Sequence, residues 1–180
     1  MTEAGSEPWE RVGPDRVVYD GYTRVVRRRM RRPDTGAESD WDLVDCVDSV
    51  AVLARTPRGE VVCIRQFRPG PDRYMLALPG GLLDPGESVA DAARRELREE
   101  TGYDAATIEV LTHTSPYKST ERRWVAVAHG CEQVVEQDLD PHEDIDVLLL
   151  RLGDLRAALR SGEFGTTDQT YLALDHLGLL

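Results

Sequence analysis

The chain has 180 residues, 33 of them Asp or Glu against 22 Lys or Arg, for a formal net charge of −11. That length suits one domain with a sizeable core, and no apolar run approaches the ~18 residues that a membrane-spanning helix needs. The opening segment, MTEAGSEPWE, has no apolar stretch of a secretory signal, and Cys46, Cys63 and Cys131 are too scattered for a disulfide framework or zinc site, so they read as reduced thiols of a cytoplasmic protein.

In chain order, residues 1–16 read as a flexible polar arm containing Pro8, Gly13 and Pro14. Residues 17–30 hold two strand-like runs about Asp20-Gly21, a hairpin dipeptide, and 31–40 are turn-rich. Strands are expected at 41–47, 49–55 and 60–67, the last beyond the turn Pro57-Arg58-Gly59. Residues 68–87, dense in Pro and Gly, read as loop. A helix follows near 88–101, then strands near 106–113 and 122–130, an acidic loop at 136–144, and a strand at 145–152. Helices near 153–161 and 167–177 close the chain. Without a βαβ alternation this order predicts a mixed α+β sandwich. It is read as a single domain over 17–180, with N-terminal strands at 17–47 and a core at 48–180. The run Arg27-Arg28-Arg29, with Arg31 and Arg32, is either a polyanion-binding patch or a solvated edge strand, and the acidity of the chain favours the second. The same acidity argues against nucleic acid and admits an anionic substrate only through intervening cations.

The helix carries the chemistry. Residues 80–103 read GGLLDPGESVADAARRELREETGY, with Ser88 and Asp91 suited to the N-cap and Gly102 to the C-terminal stop. At about 100° per residue, Val89, Ala92, Ala93 and Leu97 form an apolar stripe, with Asp91, Arg94, Arg95 and Arg98 opposite. Glu96 and Glu100 fall inside that stripe and Glu99 on its flank. Two carboxylates at i and i+4 repel, and burying them costs several kcal/mol unless arginines, raised pKa values or a cation compensate. Clustered carboxylate oxygens suit magnesium or manganese. The preceding Leu78-Pro79-Gly80-Gly81 allows close backbone approach and offers a bare carbonyl, while Glu87 and Arg95 can lock loop to helix.

These residues resemble the Nudix box of the Nudix hydrolase family: Gly81, Glu87, Arg95, Glu96, Leu97, Glu99, Glu100 and Gly102 match it in spacing and type, with Tyr103 in place of the usual aliphatic residue. The resemblance implies an α/β/α sandwich around a mixed sheet, with the N-terminal hairpin as an arm. It implies hydrolysis of a nucleoside diphosphate linked to another group, with two or more Mg2+ or Mn2+ ions. Glu96, Glu99 and Glu100 and the Gly80 carbonyl would be metal ligands, and Gly81, Glu87, Arg95 and Gly102 structural.

Outside the box, Arg65-Gln66-Phe67-Arg68 before LPGG and the segment from Ser115 to Glu121 are similar to the ADP-ribose pyrophosphatase subfamily, although Tyr117 stands where that subfamily has Gly. By that resemblance Arg68 binds a phosphate, Leu82 lines the pocket, and Pro116 and Glu121 shape the end that holds the terminal ribose. The general base comes from the acidic loop, with Glu143 the choice and Asp140 and His142 the alternatives. The resemblance further implies a homodimer through the N-terminal strands, with the arginine-rich strand reaching the partner's site. The expected reaction is cleavage of ADP-ribose to AMP and ribose 5-phosphate. GDP-mannose, other nucleotide sugars and dinucleoside polyphosphates are the rival substrates, and a non-catalytic ligand-binding module is the rival class.

Overall fold

Three helices and twelve strands follow one another in the computed structural model, which describes residues 8–180. Residues 1–7, the greater part of the expected flexible arm, lie outside the described residues. The chain divides into two units, residues up to 47 with 115–121, and residues 48–114 with 122–180.

The first unit is an antiparallel sheet of β1 (Glu10–Arg11), β2 (Arg16–Asp20), β3 (Arg24–Arg31) and β4 (Glu38–Asp45). Strand β3 is central: β4 lies along one edge, while β1 and β2 share the other. The expectation of a loose arm to residue 16 is corrected here, since Glu10 and Arg11 pair with Arg31 and Met30. Trp9 also packs edge-on against Trp41 with ring centroids 6.3 Å apart. A strand of two residues has no period to read. Arg27, Arg29 and Arg31 share one face of β3 and meet Asp42, Asp40 and Glu38 directly across on β4, at 2.7, 2.9 and 2.9 Å. Cross-strand opposite charges stabilise such a pairing, so the arginine run is matched within its own sheet. Segment 115–121 lies beside β4, with the Val44 N–H donating to the Lys118 carbonyl and Thr120 N–H to the Val44 carbonyl.

The second unit holds β5 (Ser49–Arg55), β6 (Val61–Arg68), β7 (Arg73–Ala77), α1 (Val89–Thr101), β8 (Tyr103–Asp104), β9 (Thr107–Thr114), β10 (Arg123–His129), β11 (Glu132–Gln133), β12 (Ile145–Leu150), α2 (Leu152–Ser161) and α3 (Thr167–His176). Its main sheet runs β12-β6-β5-β10-β9, with β5 and β10 parallel and the other neighbours antiparallel. Because strand side chains alternate between faces, the apolar runs of these strands build two cores. Ala51, Leu53, Val61, Cys63, Val125 and Val127 pack with Leu155 and Leu159 of α2 and Ala173 and Leu174 of α3. Val50, Val52, Ala54, Val62, Ala126 and Ala128 pack with Ala92, Ala93 and Leu97 of α1. Helices on both faces make this unit an α/β/α sandwich around a mixed sheet.

Strand β7 corrects the expectation of loop throughout 68–87. It pairs with Ile64–Arg68 of β6 after a Pro69-Gly70-Pro71-Asp72 turn in which Asp72 has φ 54°. The surrounding prolines and glycines mask five strand-forming residues. Strand β6 pairs with β5 only at Val61 and Val62 and then with β7. Beyond that split, the loop after β7 runs along β5: Val52 N–H donates to the Pro79 carbonyl and Val50 N–H to the Gly81 carbonyl, both at 2.9 Å. This places the double glycine against the sheet, on the side that α1 covers.

Candidate active site

Helix α1 begins at Ser88, whose hydroxyl accepts from the Asp91 N–H, and ends at Gly102, whose φ of 73° is left-handed and whose N–H donates to the Arg98 carbonyl. A side chain at 102 would also collide with the Val135 carbonyl. Between these caps the helix buries Ala92, Ala93 and Leu97 fully, and Glu100 with them at 4% exposure. The buried carboxylate of Glu100 accepts a 2.7 Å hydrogen bond from the Gly80 N–H. Burial pushes its pKa up to about 8, with Glu96 and Glu143 adding to the rise and the Gly80 N–H and Arg68 opposing it. Burial likewise raises Glu96, where Arg95 opposes and Glu99 and Glu143 reinforce the shift.

The two glycines supply the space. Gly80 has φ 153°, and a Cβ there would strike the Val50 carbonyl. A Cβ on Gly81 would occupy the place of the Glu96 carboxylate. The sequence arithmetic set Arg95 on the solvated side, and the structure corrects this: Arg95 is the hub of the surface beside Glu96. Its guanidinium donates to both oxygens of Glu87 at 3.0 Å, to Glu96 at 2.8 Å, to Glu99 at 3.1 Å and to the Leu82 carbonyl at 3.0 Å. These bonds, Glu87 first, raise the Arg95 pKa further, and Arg95 in turn holds the Glu87 carboxyl below its ordinary value.

The donor set is all oxygen, two of its carboxylates are taken out of water at an unfavourable cost, and the Gly80 carbonyl accepts no hydrogen bond from the described residues. That chemistry fits a hard divalent cation. As the side chains stand, no three acidic, His or Cys groups among the described residues converge to cage an ion. Arg95 takes one oxygen each of Glu96 and Glu99.

Arg68 ends β6, exposed, and its charge acts favourably on Glu100. Glu143 lies in the loop before β12, near enough to Glu96 and Glu100 to raise both. It closes a turn: its N–H donates to the Asp140 carbonyl at 2.9 Å, and the Asp140 N–H donates to its carboxylate at 3.0 Å. Pro141 stands second in that turn, a position its fixed φ favours. Leu82 is 56% exposed. Pro116 and Glu121 belong to the first unit. Two polar groups of this region, Gln137 and Tyr74, carry no sequence signal. Gln137 donates from its amide to the Glu100 carbonyl at 2.6 Å and the Ile145 carbonyl at 3.1 Å. The Tyr74 hydroxyl donates to Asp144 at 2.8 Å. Gln66, two residues before Arg68, has a buried Oε1 with no hydrogen-bond partner among the described residues.

Comparison with known proteins follows the same lines. A bacterial ADP-ribose pyrophosphatase from Bacillus subtilis is 33% identical over 147 residues, spanning 80% of this chain and 79% of that one. A methanol dehydrogenase activator from Bacillus methanolicus is 30% identical over 90% of this chain and 89% of its own. The crystal structure of an ADP compounds hydrolase shares the fold, with a TM-score of 0.76 at 21% identity over 97% of this chain and 98% of that one. The NUDIX domain model matches residues 47–169, a span that contains the glycine pair, α1 and the acidic loop. With its carboxylate helix, glycine loop and main sheet all inside that span, the chain belongs to the Nudix hydrolase family.

Proposed function

We propose that the protein is a magnesium- or manganese-dependent pyrophosphatase that hydrolyses ADP-ribose to AMP and ribose 5-phosphate. The observation that carries this reading is the pair of carboxylates, Glu96 and Glu100, driven into the sandwich against Gly80 and Gly81. The substrate is supported by the likeness to the Bacillus subtilis ADP-ribose pyrophosphatase and by the Arg65-Gln66-Phe67-Arg68 stretch.

In this mechanism Glu96, Glu99 and Glu100, with the Gly80 carbonyl, would hold two or more divalent ions. When bound, the ions supply neutralisation of the diphosphate and a water acidified toward hydroxide. Arg68 binds a phosphate oxygen through its guanidinium fork. Glu143 accepts the proton of the attacking water. The water oxygen forms a bond to one phosphorus, the bridging P–O bond breaks, and the two products leave as monophosphates. Arg95 and Glu87 keep the loop and helix in register. The roles of Pro116 and Glu121 at the terminal ribose rest on resemblance alone.

The protein is further read as a homodimer through its N-terminal strands, where Val17, Tyr19 and Trp41 are exposed. Light scattering that finds only monomer at micromolar concentration contradicts this. The matched charges of Arg27, Arg29 and Arg31 argue for a structural part for that strand.

The test of the substrate is kcat/KM over ADP-ribose, GDP-mannose, dinucleoside polyphosphates and nucleoside triphosphates. The proposal expects ADP-ribose first, with AMP and ribose 5-phosphate as products. Triphosphates or GDP-mannose far ahead would overturn the substrate while leaving the metal site standing.

A further inference from the structure

We infer that Tyr74 is a positioning residue for Glu143, acting through Asp144. The inference rests on the reading of Glu143 as the proton acceptor.

Glu143 sits in the loop before β12, and a proton acceptor works only where the backbone that carries it is held in place. The loop from 138 to 144 has no helix or strand hydrogen bonds of its own to fix it. Its anchors are side-chain and cap contacts, and they come from two directions. On the α1 side, the Asp138 N–H donates to the Glu99 carbonyl at 2.9 Å. There too the Gln137 amide bridges the Glu100 carbonyl, in the last turn of α1, to the Ile145 carbonyl, at the start of β12. Leu139 packs against Ile64, Ala77 and Ile145 between these ends.

On the other side the anchor is Tyr74. Its hydroxyl donates to the Asp144 carboxylate at 2.8 Å, across 70 residues of sequence. Its ring is held by Phe67 edge-on at 5.7 Å and by the Arg65 guanidinium 5.1 Å above it, itself bonded to Asp146 at 2.6 Å. Thus Asp144, the residue next to Glu143, is bonded to a ring that β6 holds rigid. Tyr74 is itself exposed at 48% and contributes little to either core. A half-exposed tyrosine with a firmly seated ring and a carboxylate partner beside the reacting loop is better explained by placement of that loop than by stability.

The experiment uses full-length protein with Mg2+ and ADP-ribose. Tyr74→Phe keeps the ring and its packing and removes one hydrogen bond. It should lower kcat about fivefold, the value of one such bond, with KM within twofold, and should speed hydrogen exchange at the Asp140 and Glu143 amides. Asp144→Ala should match it, and the double variant should lose no more than either alone. Asp144→Asn, which still offers the hydroxyl an acceptor, should restore most of kcat. Wild-type kcat and exchange in Tyr74→Phe, or losses that multiply in the double variant, would overturn the inference. Glu143→Gln separates the two readings. A large loss there with none in Tyr74→Phe overturns the positioning role alone. Wild-type kcat in Glu143→Gln overturns the base assignment, and the exchange rates then decide whether Tyr74 holds the loop.

Discussion

Glu100 sets the energetics of the site, because a carboxylate at 4% exposure is costly in the metal-free protein. Its neutral isostere keeps the acceptor for the Gly80 N–H without the buried charge. Thermal unfolding in EDTA should therefore show Glu100→Gln at least as stable as wild type. With millimolar Mg2+ the order should reverse, because ligand binding stabilises the protein that holds the ion. Wild type ahead in EDTA and unchanged by Mg2+ would contradict the assignment. Glu87 behaves oppositely. Its pKa is held below 4.5 by Arg95, so it contributes stability above that value, and the contribution is lost as pH falls through the lowered folded pKa. The Tm gap between wild type and Glu87→Gln should stay constant from pH 8 to about 5 and close below that. A gap that widens on acidification would contradict the pairing. Glu96 and Glu100 were legible in the sequence because charge inside an apolar stripe is an anomaly in the helical period. Gln137 and Tyr74 were not, because their bonds span 37 and 70 residues and leave no local pattern.

Among the elements, α1 was readable almost to the residue, since a serine cap, an acidic first turn and a terminal glycine each leave a mark. The six-residue and longer strands were readable from alternation or apolar runs, except that β4 begins at Glu38, three residues inside the stretch expected as turn, where ESD offers no apolar residue to mark it. Strand β7 was hidden by the proline and glycine residues around it, and β1, β8 and β11 by their length of only two residues. The glycine loop was readable as composition, though its path along β5 is a tertiary fact. That path makes Gly80 irreplaceable: Gly80→Ala drives a methyl into the Val50 carbonyl at a backbone angle that L residues avoid. The expected cost is about 3 kcal/mol of stability by urea unfolding. A cost near zero would mean that the loop does not run against β5. Leu97→Ala, from a fully buried position, should cost about 2–5 kcal/mol.

For the whole molecule, the net charge of −11 has resolved into parts with different work. The carboxylates of β4 neutralise the arginines of β3, and the acids of α1 and the loop before β12 face one another. The first set is exposed and paired in water, where such bridges contribute little, so Arg29→Ala should leave Tm nearly unchanged at any salt concentration. The second set remains repulsive until a cation joins it. Among the described residues no helix is long and apolar enough to cross a membrane. On the proposed function, the acids of α1 hold the metal that makes the chain a pyrophosphatase. This is tested most directly by steady-state hydrolysis of ADP-ribose in Mg2+ by wild type and Glu100→Gln. Turnover by the wild type that is lost in EDTA, and a kcat lower by about 100-fold or more in the variant, is the predicted result. Equal activity of the two proteins would contradict it.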